Sequence, residues 1–248
     1  MIQKQFDTVV DLNYKNLVVS GCSFTYNNSD SSACSWPLYL KDLGGFSHVT
    51  NLALPGAGNN HIKNSMQWHL ENNHYDTNDT LIIVMWSGND RDDDIVSSAS
   101  LNNYPFHFYY NDNTASSISG GSGSKNVGNI SKDYINQAQM HKTPQSRAVE
   151  NYLLITGLFH YLKEKQFKFL FLNYIDYTVP SRTVDFDIVP YLPAELQQKY
   201  KSMFAKNIDN IYHWCLKRDL LSGKDDFHPS TDGHLGWTRE VLLPYLSS

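Results

Sequence analysis

A serine near the start of the chain and a histidine near its end have the residue types and surroundings for acyl-transfer chemistry. Ser23 follows an apolar run at 17–20, and His228 stands in the segment 225–229, Asp-Asp-Phe-His-Pro. A serine hydroxyl is a poor nucleophile until an adjacent imidazole accepts its proton, and that imidazole needs a carboxylate to fix its tautomer. An aspartate three residues before the histidine can supply the carboxylate if both share one tight turn. The spacing predicts a Ser–His–Asp triad.

Strands and helices alternate along the chain and must position these side chains. Apolar runs predict strands at 17–20, 49–53, 81–86 and 167–172. The remaining periodic segments predict helices at 36–43, from Asn59 or Asn60 to about Leu70, from Ser146 through Leu162, at 193–216 and at 231–246. Such alternation predicts βαβ units and a parallel sheet, which is the α/β class.

Two of these helices carry more specific predictions. In the helix from Ser146, one face is predicted to hold Val149, Leu153, Leu154, Leu158 and Leu162. The last helix has a cap at Ser230 or Thr231, because serine and threonine side chains accept hydrogen bonds from the first free backbone N–H groups.

Length and composition restrict the class of protein. A chain of 248 residues with 41% hydrophobic and 18% charged residues suits one globular domain with a sizeable core. The formal charge of −5 predicts no nucleic-acid partner. The three cysteines, 22, 34 and 215, are too few for a disulfide framework. We expect no membrane span and, without an apolar signal segment, a cytoplasmic location, although export by another route or incorporation in a virion would leave no mark.

The middle of the chain breaks the alternating pattern. Residues 111–132 are rich in Asn, Gly and Ser and cannot bury much apolar surface. The aromatic segment before them, 104–110, suits either a hairpin strand or a lid over a cleft. The prediction is one domain, 1–248, with a flexible insertion at about 104–132.

Four short blocks resemble the signature blocks of the SGNH (GDSL-type) hydrolase superfamily. They are 21–24 (Gly-Cys-Ser-Phe), 51–56 (Asn-Leu-Ala-Leu-Pro-Gly), 87–90 (Ser-Gly-Asn-Asp) and 225–229. Each block alone is a weak signal, but all four occur in order, after predicted strands or before the last helix. The resemblance implies a three-layer α/β/α sandwich with a central, mostly parallel, flavodoxin-like sheet. The first block, followed by Ser35-Trp36-Pro37, resembles a branch found in phages and marine bacteria.

The resemblance also implies a role for each site residue. Ser23 is the nucleophile, and His228 and Asp225 complete the triad. The oxyanion hole is formed by the N–H groups of Ser23 and Gly56 and by the side-chain amide of Asn89. These roles agree with the chemistry, because preorganised donors stabilise the charge that develops on a carbonyl oxygen. The carboxyl ends of strands in an open α/β sheet converge on one crevice.

Two residues depart from the superfamily pattern, and one choice stays open. Cys22 stands where an aspartate is usual, and Ser87 stands where a glycine is usual. Asp225 and Asp226 compete for the carboxylate role, and the superfamily spacing favours Asp225, with Asp226 as a solvated neighbour. Each motif also has a purely structural interpretation: Ser23 as a helix cap, Gly56 and Asn89 as turn residues, and the histidine segment as a loop before the last helix.

Other candidate residues are weaker. Cys22 fits a packed side chain better than a reactive thiol. Arg91 can reach an anionic group of a substrate. The acidic run 92–94 indicates a solvated loop rather than a metal site. The mechanism needs no cofactor and no metal.

The function predicted from these residues is a serine esterase that removes an acyl group, most simply acetyl, from a carbohydrate or other small ester. An O-acyltransferase would use the same acyl-enzyme. A third alternative is a binding or structural module with an idle scaffold, since fold does not imply function.

Overall fold

Four parallel strands form the central sheet of the protein. The computed structural model describes residues 10–26, 34–88, 92–97, 107–111, 143–175, 191–223 and 226–248. The strands are β1 (Asn16–Ser20), β2 (His48–Asn51), β3 (Thr80–Trp86), β4 (Asp92–Ser97), β5 (His107–Asn111) and β6 (Lys168–Asn173). The parallel sheet has the order β2-β1-β3-β6, and β4 pairs with β5 in a separate antiparallel ladder. Leu17 of β1 is aligned with Val49 of β2 and Leu81 of β3.

Helices cover both faces of this sheet. They are α1 (Trp36–Leu43), α2 (Asn59–Asn72), α3 (Pro144–Glu164), α4 (Ala194–Ser202), α5 (Ile211–Leu216), α6 (Thr231–Trp237) and α7 (Leu243–Ser247). The chain moves from β1 to one side and then crosses back to β3, so right-handed connections place α1 and α2 on opposite faces. Helix α1 packs against α6, and α2 packs against α3. The predicted three-layer α/β/α architecture is confirmed.

The core is centred on β3, the strand between β1 and β6. All seven residues of β3 are buried, as expected for a parallel strand covered on both faces. Trp86 at its end meets Phe171 of β6 edge to face, with ring centroids 5.2 Å apart. Each buried Val, Leu or Ile side chain here contributes about 1.5–3 kcal/mol to burial. The carboxyl ends of the strands are thus held by apolar contacts from both helix layers.

The predicted helix at 193–216 is wrong, because the chain forms two helices there. Between α4 and α5, Asn207 has a φ of 58°, which no helix residue adopts. The N–H of Ala205 donates to the carbonyl of Phe171 at 3.0 Å, so the intervening segment is fastened to β6. Asn210 begins the second helix, and its side chain accepts the N–H of His213 at 2.9 Å.

The predicted buried face of α3 is correct only in its second half. Leu158 and Leu162 are fully buried, but Val149 is 43% and Leu153 is 62% exposed. The buried residues of the first half are Ala148, Asn151, Tyr152 and Ile155. The apolar pattern failed there because Asn151, a polar residue, occupies an inward position where it binds other amide groups.

Smaller differences concern the ends of elements. Strand β2 ends at Asn51, two residues before the predicted end, and Gly58 rather than Asn59 or Asn60 is the N-cap of α2. The predicted cap of the last helix is confirmed, since Ser230 Oγ accepts the N–H of Gly233 at 3.1 Å. Among the helices that the structure describes, none has both the length and the apolar character needed to cross a membrane.

The region predicted as an insertion is described only in part. Residues 92–94 were expected to form a solvated loop, but they lie in β4 and pair with β5. Strand β5 supports the hairpin interpretation of the aromatic segment. Residues 112–142 lie outside the described residues, so the flexible insertion and the single domain stay predictions.

Two glycines in helices predict opposite effects of the same substitution. A Cβ atom on Gly157 of α3 would meet only Lys63 Cε, at 3.7 Å, whereas one on Gly233 of α6 would lie 2.6 Å from the Leu220 carbonyl oxygen and 2.9 Å from Cys215 Sγ. We expect Gly157→Ala to raise the free energy of unfolding by about 0.5–1 kcal/mol, because alanine is the better helix former. Gly233→Ala should lower it by about 1–3 kcal/mol through overpacking. Urea denaturation followed by circular dichroism measures both, and equal effects of the two variants would contradict the assignment.

Candidate active site

Ser23 lies in a tight turn that follows β1. The N–H groups of Thr25 and Tyr26 donate to the carbonyl of Cys22 at 2.9 and 3.0 Å, so the chain makes one helical turn there. The link to β1 is Gly21, where a Cβ atom would lie 2.4 Å from Thr25 Oγ1 and 3.0 Å from the Met85 carbonyl oxygen. Only glycine permits this close approach. Cys22 is fully buried, which confirms its interpretation as a packed residue.

His228 lies in a loop that we call the histidine loop, residues 221–229, of which 224 and 225 lie outside the described residues. Leu221 and Pro229 form an antiparallel bridge at its base. Ser222 N–H donates to the His228 carbonyl at 2.8 Å, and Ser222 Oγ donates to the Pro229 carbonyl at 3.1 Å. These bonds fix the backbone of the loop immediately before α6.

The Ser23 turn and the histidine loop meet in a chain of short hydrogen bonds. Ser23 Oγ lies 2.7 Å from His228 Nε2, and His228 Nδ1 lies 2.6 Å from Asp226 Oδ1. A carboxylate accepts from Nδ1–H, which leaves Nε2 free to accept the serine proton. This is the arrangement that activates a serine hydroxyl.

Asp226 is held by a second bond from the same histidine. Its Oδ1 atom also accepts the backbone N–H of His228, at 3.0 Å. Partial burial acts to raise the pKa of the Asp226 carboxyl, but the hydrogen bonds and charge of His228 outweigh it and lower that pKa. Asp226 is therefore ionised near neutral pH.

The structure brings Ser23 and His228 together, as the sequence predicted. Asp225 lies outside the described residues, and its role stays a prediction. Asp226 was interpreted as a solvated neighbour, yet it is the described carboxylate that contacts His228. The missed signal is local: an aspartate side chain commonly binds the backbone N–H two residues further along, and here this contact aligns the two side chains.

Gly56 occupies a turn beside the serine. The turn runs from Leu54 to Ala57, whose N–H donates to the Leu54 carbonyl at 3.2 Å. Gly56 has a φ of 78° at the third position, which follows Pro55 and favours glycine. The N–H of Leu54 donates to the Gly21 carbonyl at 3.2 Å, so this turn is attached directly to the segment that carries Ser23.

Asn51 fastens the same two segments through its side chain. Its Nδ2 atom donates to the Thr25 carbonyl at 2.8 Å, and its Oδ1 atom accepts the Ala53 N–H at 3.0 Å. Ser35 Oγ donates to the same Thr25 carbonyl at 3.2 Å. The turn after β1 is thereby held by the end of β2 and the start of α1.

Asn59 performs a similar task at the end of β3. Its Oδ1 atom accepts the Ser87 N–H at 2.8 Å, and its Nδ2 atom donates to the Ser87 carbonyl at 3.2 Å and to Asn151 Oδ1 at 2.5 Å. The sequence interpretation gave Asn59 only a capping role, whereas it is a buried clamp. The predicted Asn89 and Arg91 lie outside the described residues.

His61 supports the segment between β2 and Gly56 from below. It is buried in α2 and hydrogen-bonds to the backbone of Leu52. Burial lowers the pKa of His61 to about 4, so its ring is neutral at physiological pH. The site is therefore bordered by neutral, internally bonded side chains.

Comparison with known proteins finds similarity of chain path only. No profile of a protein family matches the chain, and no curated protein matches its sequence. A G-D-S-L family protein from Desulfitobacterium hafniense is 14% identical, with 91% of this chain and 96% of that chain covered and a TM-score of 0.47. A member of the lipolytic protein G-D-S-L family from Veillonella parvula is 11% identical, covers 90% and 94%, and has a TM-score of 0.49. An acetyl xylan esterase is 13% identical, covers 90% and 96%, and has a TM-score of 0.46.

The Asn59 clamp predicts a large cost for its removal. Asn59→Ala leaves the N–H and carbonyl of Ser87 without their side-chain partner in the core, and we expect a loss of about 2–4 kcal/mol in the free energy of unfolding. Asn60→Ala is the control, because Asn60 is only partly buried and accepts one bond from Asn64. It should cost less than about 1 kcal/mol. Urea denaturation of both variants measures the difference, and similar losses would show that the Ser87 bonds carry little weight.

Proposed function

We propose that the protein is a serine hydrolase of the SGNH type that cleaves a carboxylic ester. The observation that carries the proposal is the hydrogen-bonded series Ser23–His228–Asp226. Its members come from the end of β1 and from the loop before α6, so they lie at the carboxyl edge of the sheet, where open α/β proteins bind ligands. No cofactor takes part in the proposed reaction.

The proposed reaction has two halves. Ser23 Oγ attacks the ester carbonyl carbon while its proton moves to His228 Nε2, and Asp226 stabilises the imidazolium that forms. His228 then gives this proton to the leaving alcohol. In the second half, water takes the place of the serine hydroxyl and releases the acid.

The oxyanion is assigned to three donors. They are the N–H groups of Ser23 and Gly56 and the side-chain amide of Asn89. The attachment of the Gly56 turn to Gly21 supports the first two, because it keeps both backbone segments adjacent. Each preorganised donor is worth about 10²–10³ in rate.

The proposed substrate is an acetyl ester of a carbohydrate or another small ester. The 33 aromatic residues, 16 Tyr, 12 Phe and 5 Trp, support it because such rings stack on sugars. The His228 side chain is 43% exposed, and water reaches it readily. This exposure favours hydrolysis over the alternative, an O-acyltransferase, which must exclude water. The assembled hydrogen bonds also disfavour an idle binding module. An anion-binding role for Arg91, a cytoplasmic location and the phage-like branch stay predictions.

A fluorophosphonate probe tests the nucleophile. We expect the probe to form an adduct that mass mapping places on Ser23, because only an activated hydroxyl reacts rapidly. Ser23→Ala should lose the adduct and at least about 10³-fold of the hydrolysis rate of p-nitrophenyl acetate. Ser202→Ala, in exposed α4, is the matched control and should behave as wild type. A folded Ser23→Ala protein with wild-type turnover would overturn the proposal.

A pair of neighbouring aspartates tests the carboxylate. Asp226→Asn places an amide against His228 Nδ1, which favours the wrong tautomer, and kcat should fall by on the order of 10³-fold with little change in KM. Asp225→Asn is the matched variant one position away and should retain most of the activity. Steady-state kinetics on p-nitrophenyl acetate separates them, and a larger loss in Asp225→Asn would return the role to the residue that the superfamily spacing favours.

A further inference from the structure

Two aromatic rings lie in series against the imidazole of His228. The ring centroid of Phe24 lies 4.9 Å from that of His228, with 35° between the planes. On the same residue, the Tyr174 centroid lies 4.4 Å away, also at 35°. Phe24 is 3% and Tyr174 is 5% exposed. We call Phe24 and Tyr174 the aromatic support.

Both rings are fixed by backbone of the sheet. Phe24 follows Ser23 directly and lies in the helical turn whose N–H groups bind the Cys22 carbonyl. Tyr174 follows the last residue of β6, and its carbonyl accepts the Tyr212 N–H at 3.1 Å. The support therefore joins the ends of β1 and β6, while His228 belongs to a separate loop. Its contact with Phe24 is independent of the bonds that hold the histidine loop.

The position of Phe24 suits the charge that catalysis creates. When the Ser23 Oγ–H bond breaks, its electron pair forms the bond to the carbonyl carbon and its proton binds Nε2, so the His228 ring gains one positive charge. Aromatic faces carry partial negative charge and attract cations within about 6 Å of the ring centroid. An aliphatic side chain of similar size would fill the space without this attraction.

We infer that Phe24 is a positioning residue, whose ring keeps the His228 imidazole opposite Ser23 and stabilises its protonated form during acyl transfer. The inference rests on the proposed function and adds a group that the triad and oxyanion hole do not contain. Tyr174 acts through Phe24, because it backs the ring that faces His228.

Substitution that keeps volume and removes aromaticity tests the inference. We expect Phe24→Leu to lower kcat for p-nitrophenyl acetate by about 10-fold and to leave KM within about 2-fold, because the attraction acts on the charged transition state. Phe24→Tyr, which keeps the ring, should restore at least half of kcat. Tyr174→Phe should match wild type, and Tyr174→Leu should lose about 2–3-fold. The ring proton signals of His228, shifted by the Phe24 ring in wild type, should move in Phe24→Leu.

A distant aromatic residue provides the control for general loss of packing. Phe204 stacks on Tyr200 at 4.9 Å and near Phe171 at 6.3 Å, and Phe204→Leu should lower the melting temperature while kcat stays unchanged. Wild-type kcat in Phe24→Leu, or equal losses of kcat in Phe24→Leu and Phe204→Leu, would overturn the inference. If Phe24→Leu does not fold, kcat in Tyr174→Leu equal to wild type overturns it. Failure of the proposed function looks different, because wild type would then form no Ser23 adduct.

Discussion

The hydrogen bond between Ser23 Oγ and His228 Nε2 sets the requirements for the rest of the structure. It joins two residues 205 positions apart in the chain, at a separation of 2.7 Å. A displacement of either segment by about 1 Å would remove the proton path. The parallel sheet meets this requirement because it places the end of β1 next to the ends of β2 and β3, with all three strands buried in a common apolar core. The tight turn at Ser23 and the bridged base of the histidine loop supply the final placement.

Polar side chains near the strand ends then act on backbone groups rather than on a substrate. Asn51 binds the Thr25 carbonyl, and Asn59 binds both backbone groups of Ser87. Each replaces hydrogen bonds that water would otherwise supply, so loops at the carboxyl edge are held without a continuous ladder. Because an amide carries no charge, these clamps fix the backbone without adding a field that would alter the proton equilibrium between Ser23 and His228.

Sequence reasoning found what depends on pattern and missed what depends on partners. Apolar runs located the parallel strands, and residue chemistry located Ser23 and His228. The carboxylate could not be decided, because the superfamily spacing favours Asp225 while the local turn at His228 brings Asp226 to the ring. The clamps by Asn51 and Asn59 were missed because their partners are backbone groups far along the chain. The face of α3 and the break at Asn207 were mispredicted because buried amide contacts and a left-handed residue override apolar periodicity.

The pairing of Asp226 with His228 inside a three-residue segment has a mechanical consequence. The same Oδ1 atom binds both the backbone and the ring of His228, so the base and its carboxylate keep their mutual orientation wherever the segment moves. Withdrawal of the histidine loop from the sheet breaks a single contact, the one to Ser23, and its return restores a working site without any reassembly of the acid–base pair. The protein thus contains a two-piece device, a fixed nucleophile on the sheet and a self-contained proton acceptor on a loop, whose connection is one hydrogen bond.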